Sequence, residues 1–291
     1  MAVAGATPIP RPLARAIMYG TLLLVAAAFL GPLLWMAATS LKPATQAASP
    51  NLTLLPDPPG GVFRFGAENY SAVWNDESVR FPLYLRNTLI IAILSVSGMV
   101  ISSAIVAFGF ARLKWRGRGP LFVLVLATMM IPFPVLMGPL YLIFKELGWI
   151  GTLRPLWVPA WFGGAFNIFL LRQFFLGIPR ELDEAAQIDG CSTWGIFWRI
   201  IMPLSRPALA VVALFHFIFV WNDFLAPLIF LSHRDQFTLA LGLQLYQSRA
   251  GNTPWNLLMA ASVLVVAPVL LLFILARQTF VQGAAGAGLK E

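Results

Sequence analysis

Six stretches of this chain are apolar for long enough to cross a bilayer, and that constrains its fold more than any other feature. A hydrocarbon core about 30 Å thick takes about 20 apolar residues of helix. The runs lie at about Ile17 to Ser40, Asn87 to Phe110, Leu121 to Phe144, Leu156 to Phe175, Pro207 to Leu231 and Leu257 to Ala276. Inside lipid every backbone N–H and C=O must find a partner within the protein, so only helices and closed barrels span. These runs are too long and too uniformly apolar for barrel strands. The expected fold class is therefore an all-α membrane protein with six transmembrane helices. Charged residues make up only 11% of the chain, where a soluble domain carries about a quarter. Lipid must replace water over much of the surface.

The formal net charge of +8 could point to nucleic acid. The cations are scattered at the ends of apolar runs, however, and none forms a basic patch alternating with aromatics, so that class is set aside. Cation placement fits headgroups and topology instead. The connection after the second run reads Arg112-Leu113-Lys114-Trp115-Arg116-Gly117-Arg118, with four cations and no acid. Short positive loops stay in the cytoplasm. This places both termini and the polar segment around Glu184 inside. The Pro- and Gly-rich segment Leu41 to Leu83 is then external and is expected to be a turn-laden loop. A single cysteine, Cys191, excludes an intrachain disulfide and a cysteine metal cluster. The first run has no small-residue cleavage pattern before Lys42 and is expected to be a span rather than a cleaved leader.

The third run contains Pro132, Pro134 and Pro139. Each removes a helix hydrogen bond and favours a kink. In lipid the freed carbonyls need protein or a cavity to satisfy them, so this span either lines a pathway or is kinked for packing. Pro227 and Pro268 raise the same question for later spans.

Between the fourth and fifth runs lies a polar island with its own helical signals. Pro179 suits a first helical position. Glu181, Asp183 and Glu184 sit where the helix dipole favours negative charge. Gly190 can take the left-handed conformation that ends a helix. Ser192 or Thr193 can cap a second helix over Trp194 to Ile201, which Pro203 would stop. A helical hairpin with a tight glycine turn is predicted. Ala185 and Ala186 allow close approach of another backbone, and Trp194, Phe197 and Trp198 supply aromatic area of the kind that anchors interfaces.

Glu184, Ala185 and Ala186, then Gly190, Ile200, Met202 and Pro203, resemble the EAA loop of ABC-importer permeases, with Met202 where a leucine is usual. The likeness runs from about Arg86 to the C-terminus and includes Phe219-Val220-Trp221-Asn222-Asp223-Phe224 and the terminal Gln278-Thr279-Phe280-Val281-Gln282-Gly283-Ala284. It is most similar to the second permease of carbohydrate importers of the maltose and glycerol-phosphate type. The resemblance implies a type I ABC importer permease (MetI-like) fold. It also implies a second homologous permease, two cytoplasmic ATP-binding subunits and an external solute-binding protein as partners, all at a bacterial inner membrane. Glu184, Ala185, Ala186, Gly190, Ile200 and Pro203 would couple to an ATPase. The implied domains are 1–83 (tail, first span and external loop), 84–277 (core, with the coupling loop 178–206) and 278–291 (cytoplasmic tail). No cofactor, metal site or catalytic residue is expected.

Asp223 is the sole carboxylate deep in a predicted span, and such a charge must face protein or water. With Asn222 and Trp221 it is either a contact for a sugar or an interhelical packing device. Asn167 is a second pathway candidate. His216 lies seven residues before Asp223 on nearly the same helix face, with no second His or Cys near it for a metal. The chain has no Gly-rich phosphate loop and so cannot hydrolyse ATP alone. An ion-coupled secondary transporter is the alternative, although such proteins usually carry several intramembrane carboxylates. An intramembrane hydrolase would need a nucleophile serine beside His216 and Asp223, and the sequence shows none in a recognisable setting.

Overall fold

The computed structural model describes residues 11–51, 53–247 and 253–287, with the backbone alone for residues 11 and 277–287. Every regular element among the described residues is helical. Three helices are long and apolar enough to cross a membrane unbroken: Pro12–Ser40, Phe81–Ala111 and Trp255–Ala276. They belong to α1 (Arg11–Ser40), α3 (Phe81–Ala111) and α12 (Trp255–Ala287). Since α12 runs to Ala287, most of the segment 278–291 expected as a tail is helical. The side chains of the motif beginning at Gln278 lie outside the described residues. Three further helix pairs reach spanning length only together, bent by 99°, 76° and 77° at their breaks.

The chain divides into two compact units, Met1–Asn75 with Tyr246–Leu264 and Asp76–Leu245 with Val265–Glu291. In the first, the segment expected as a plain loop contains a helix, α2 (Val62–Trp74). Its buried Asn69 donates through Nδ2 to the carbonyls of Ser40 and Lys42 at 2.8 and 2.9 Å. Asn69 Oδ1 accepts from Asn256 Nδ2 at 2.7 Å. An apolar stripe ending in buried Val73 explains why this stretch folds despite its flanking prolines.

The second unit is organised around α3, with α4 (Arg118–Ala127), α5 (Phe133–Glu146) and α6 (Ala165–Leu176) following it. The third span breaks at Ile131 and Pro132, where the prolines led us to expect it. The fourth is not the single helix expected over Leu156 to Phe175. It is a short turn of helix, a 3₁₀ segment Val158–Phe162, a break at Gly163 and Gly164, and α6. Gly163 has φ +82°, a left-handed value that favours glycine. The exposed backbone is satisfied by α3. Ser102 Oγ donates to the Ala160 carbonyl at 3.1 Å, and Ser103 Oγ accepts from Gly164 N at 3.3 Å. A Cβ on Gly98 would sit 2.4 Å from the Trp161 ring, so glycine lets the 3₁₀ segment lie against α3.

The hairpin consists of α7 (Glu181–Ile188) and α8 (Thr193–Leu204). After it comes α9 (Arg206–Trp221), and the fifth span, expected as one helix to Leu231, breaks at Asn222 to Phe224 before α10 (Leu225–Phe230), which α11 (Leu239–Gln247) follows. The cause lies four residues on. Pro227 has no N–H for the Asp223 carbonyl, and its ring would collide with that carbonyl in a continuous helix.

Candidate functional site

The hairpin is built as its sequence signals require, with two corrections. Helix α7 begins at Glu181, so Pro179 precedes it rather than opening it. Its C-terminus is closed by Cys191 N to the Ala186 carbonyl at 2.8 Å and Gly190 N to the Gln187 carbonyl at 3.0 Å. This pair of bonds is the glycine-closed helix end, with Gly190 at φ +80°. Ser192 Oγ then caps α8 by accepting from Gly195 N at 3.2 Å. The second correction concerns Pro203, which does not stop α8. Residues Phe197–Ile201 widen into π-helix, and a last helical turn Met202–Leu204 follows. Pro203 cannot bond the Arg199 carbonyl, and a π-turn absorbs that mismatch without ending the helix.

The motif residues divide between two faces. Ala186 is buried in one continuous core with Phe108, Ala111, Phe175, Ile178, Ile196 and Phe197. Phe197 is fully buried and packs on Phe108 of α3, with ring centroids 5.1 Å apart. It therefore serves this chain's own core, contrary to its expected place among interface aromatics. Ile200 is half-buried against the same core. Glu184, Ala185, Gly190 and Pro203 face outward. So do four large apolar side chains: Leu182, Ile188, Trp194 and Trp198 are 42, 87, 58 and 49% exposed.

One residue expected only as a loop cation holds the hairpin in place. Arg112, directly after α3, is buried. Its Nη2 donates to the Ile178 carbonyl at 2.9 Å, and its Nη1 lies 3.4 Å from Asp183 Oδ2. Burial pushes the Asp183 carboxyl above its ordinary range, against the opposing pull of Arg112 and Arg180. The sequence offered one signal for this contact: a cation directly after a span, with an acid in the later polar hairpin expected on the same side.

A second feature lies beside the break in the fifth span. A cavity of about 490 Å³ is lined by residues of α3, α5, the 3₁₀ segment, α9 and α10, including Ser95, Phe133, Phe144, His216, Phe219 and Asp223. The broken third span thus contributes lining through α5. Ser95 Oγ and His216 Nε2 are 2.7 Å apart. Asp223 Oδ1 accepts from Ala226 N at 3.2 Å, holding the start of α10. The other predicted pathway residues are not part of this lining. Trp221 is buried, and its Nε1 donates to the Val265 carbonyl at 3.0 Å. Exposed Asn222 bonds back to the Ile218 carbonyl at 2.8 Å. Asn167 is buried in the first turn of α6, beside Gly164. The structure joins Asp223 to His216 and Ser95 and leaves Trp221, Asn222 and Asn167 apart from them.

Residues 98–285, which contain the hairpin and most of the cavity lining, match the family described as binding-protein-dependent transport system inner membrane component. The chain belongs to this family. It is 34% identical over 259 residues to the arabinooligosaccharides transport system permease protein AraQ of Halalkalibacterium halodurans, covering 89% of this chain and 90% of that protein. It is 36% identical over 225 residues to the trehalose/maltose transport system permease protein MalG of Thermococcus litoralis, covering 77% and 81%. The fold is similar to that of a chain in a bacterial ABC transporter that imports the acidic polysaccharide alginate. The TM-score is 0.80 at 21% identity, covering 94% of this permease and 99% of that chain. This permease is thus a multi-pass membrane protein of the MetI-like fold and a non-catalytic transport component.

Proposed function

We propose that this permease forms half of the translocation pathway of an ATP-driven importer for sugars or sugar-like solutes, and that the hairpin couples it to a cytoplasmic ATPase. The single observation that carries this reading is the outward apolar face of the hairpin, mounted rigidly on the membrane core. Leu182, Ile188, Trp194 and Trp198 are exposed while Ala186 and Phe197 lock the same hairpin to α3. An apolar patch kept in water on a capped, buried-anchored element marks a binding surface. The substrate class follows the relatives, whose names specify arabinooligosaccharides and trehalose or maltose.

A second homologous permease, two ATP-binding subunits and an external solute-binding protein complete the proposed assembly. Both termini are assigned to the cytoplasm. The bond from Arg112 to Ile178 supports this, because it puts the cation-rich connection 112–118 on the same side as the hairpin. Glu184, Ala185, Ala186, Gly190, Ile200 and Pro203 are assigned to the coupling element, within a core of 84–277 that carries the loop 178–206.

Proteoliposomes holding the full assembly provide the test. Uptake of a labelled oligosaccharide delivered by the binding protein is expected to stop when internal ATP is removed and to survive collapse of ion gradients. Uptake that follows an ion gradient without ATP would overturn the reading. A narrower test concerns the turn. A Cβ on Gly190 meets nothing within 4 Å, so Gly190→Val acts through backbone conformation alone. A left-handed non-glycine residue costs roughly 1–2 kcal/mol. About tenfold weaker ATPase capture is expected, with membrane insertion unchanged. Equal capture would remove the turn from the coupling role.

A further inference from the structure

The cavity beside the broken fifth span has an electrostatic character that the transport reading leaves unused. Its aromatic walls include Phe133, Phe144 and Phe219, and its polar groups include the Ser95–His216 pair and Asp223. Among the described residues no Lys or Arg lines it, and Asp223 is its sole carboxylate. One Asp223 oxygen is engaged by Ala226 N at the start of α10. The Leu225 N–H also bonds this carboxylate, and with about four lone-pair sites roughly half of its accepting capacity remains for groups entering the cavity. The volume of about 490 Å³ lies within the range of small-molecule sites.

We propose that this cavity is a charge filter in the solute pathway, admitting uncharged or cationic solutes and rejecting anionic ones through Asp223. The proposal rests on the importer reading and narrows its substrate class to neutral sugars, against uronates, sulfonates and sugar phosphates. At an effective dielectric of about 20, a unit anion about 7 Å from a carboxylate is disfavoured roughly fiftyfold relative to a neutral solute. Hydroxyl groups of a neutral sugar donate to Asp223 and exchange bonds with Ser95 and His216, while its apolar ring faces meet the phenylalanines. The Asp223 side chain then has two duties, closing the break that Pro227 imposes and setting the sign of the cavity.

The filter can be measured without knowing the natural solute. Cys191 is this chain's only cysteine, so Cys191→Ser provides a thiol-free permease chain for Phe219→Cys, which places a reporter thiol on the cavity wall, and the reaction is read on this chain against the same assembly without Phe219→Cys. The assembled transporter in proteoliposomes is treated during ATP turnover with two methanethiosulfonates of similar size, one carrying trimethylammonium and one carrying sulfonate. After normalising to their rates with a small free thiol, the cationic reagent is expected to react at least about tenfold faster. Asp223→Asn should bring that ratio close to one, and Asp223→Glu should retain it. A ratio insensitive to Asp223→Asn in assembled protein overturns the filter, as does a thiol that neither reagent reaches. Stimulation of ATPase activity by the binding protein, measured on the Cys191→Ser assembly, reports separately on the importer reading.

Discussion

Arg112→Met is expected to produce the largest stability loss of any single substitution that touches the hairpin. It removes the donor to the Ile178 carbonyl and the ion-pair partner of Asp183, whose side chain is 15% exposed. Removing one partner of a buried ion pair costs about 3–5 kcal/mol, and the 3.4 Å separation here places the expected value near the lower end. The measurement is the thermal midpoint of the purified assembly together with ATPase stimulation by the binding protein. Both should fall, because the hairpin is then fixed to α3 by apolar packing alone. The double variant Arg112→Met/Asp183→Leu should recover most of the stability, since replacing a buried pair by apolar groups is often neutral.

The sign of the Asp183 contribution sharpens this test. Its carboxyl titrates above the ordinary value of 3.8 because burial outweighs Arg112. A raised carboxyl contributes stability below its unfolded pKa and loses it as pH rises through the folded value. Burial therefore works against the charged form of Asp183, and Arg112 limits that cost. Asp183→Asn should cost less than Arg112→Met at neutral pH, because the amide sheds the burden of a buried carboxylate yet keeps an oxygen that can accept from the Arg112 guanidinium. A large loss from Asp183→Asn, equal to that from Arg112→Met, would contradict this account.

Ile188→Asp is expected to abolish tight ATPase capture while leaving the permease folded. Ile188 is 87% exposed at the end of α7, directly before the Asp189–Gly190 turn, so its removal disturbs no internal packing. Apolar anchors at interface centres cost about 2 kcal/mol or more when truncated. Introducing a carboxylate there adds a desolvation penalty, and a loss of about 30-fold or more in ATPase affinity is expected. Affinity measured between the purified permease pair and the ATPase gives the readout, with Leu13→Asp as a substitution outside the hairpin for comparison. Undiminished capture by the Ile188→Asp permease would remove this face from the coupling surface.

Much of this architecture is legible in the sequence because the signals are local. Gly190 and Ser192 dictate a turn and a cap through conformational preference and hydrogen bonding within a few residues. The prolines at 132 and 134 likewise announce the break in the third span. The breaks in the fourth and fifth spans were less readable, because hydropathy averages over them. Gly163 and Gly164 are close to neutral on transfer scales and vanish in an apolar window, and a lone Pro227 near a span end reads as a tolerated kink. What permits the break in the fourth span is non-local, namely hydroxyls on α3, whereas in the fifth the Asp223 carboxylate takes the Ala226 N–H only three residues on, a local signal hidden inside an apolar run. Arg112 was hidden for a related reason. Its value as a loop cation is visible in composition, but its burial depends on Ile178 and Asp183 folding back beside it. Trp221 shows the limit of motif reading. An aromatic next to Asn and Asp looks like a sugar platform, yet its indole N–H is committed to the Val265 carbonyl.

The interrupted spans also dictate how the protein can be made. Helices α6 and α9 have 12 and 16 residues, fewer than the about 20 that partition stably into a bilayer unaided. The frayed backbone before α6 finds its partners in Ser102 and Ser103. Translation delivers those two hydroxyls first, on a 31-residue helix that can settle into lipid by itself. Ribosomal order thus gives the later fragments a ready-made template. A circular permutation placing α3 last should strand them outside the bilayer during biogenesis, even though every contact of the finished molecule would be preserved.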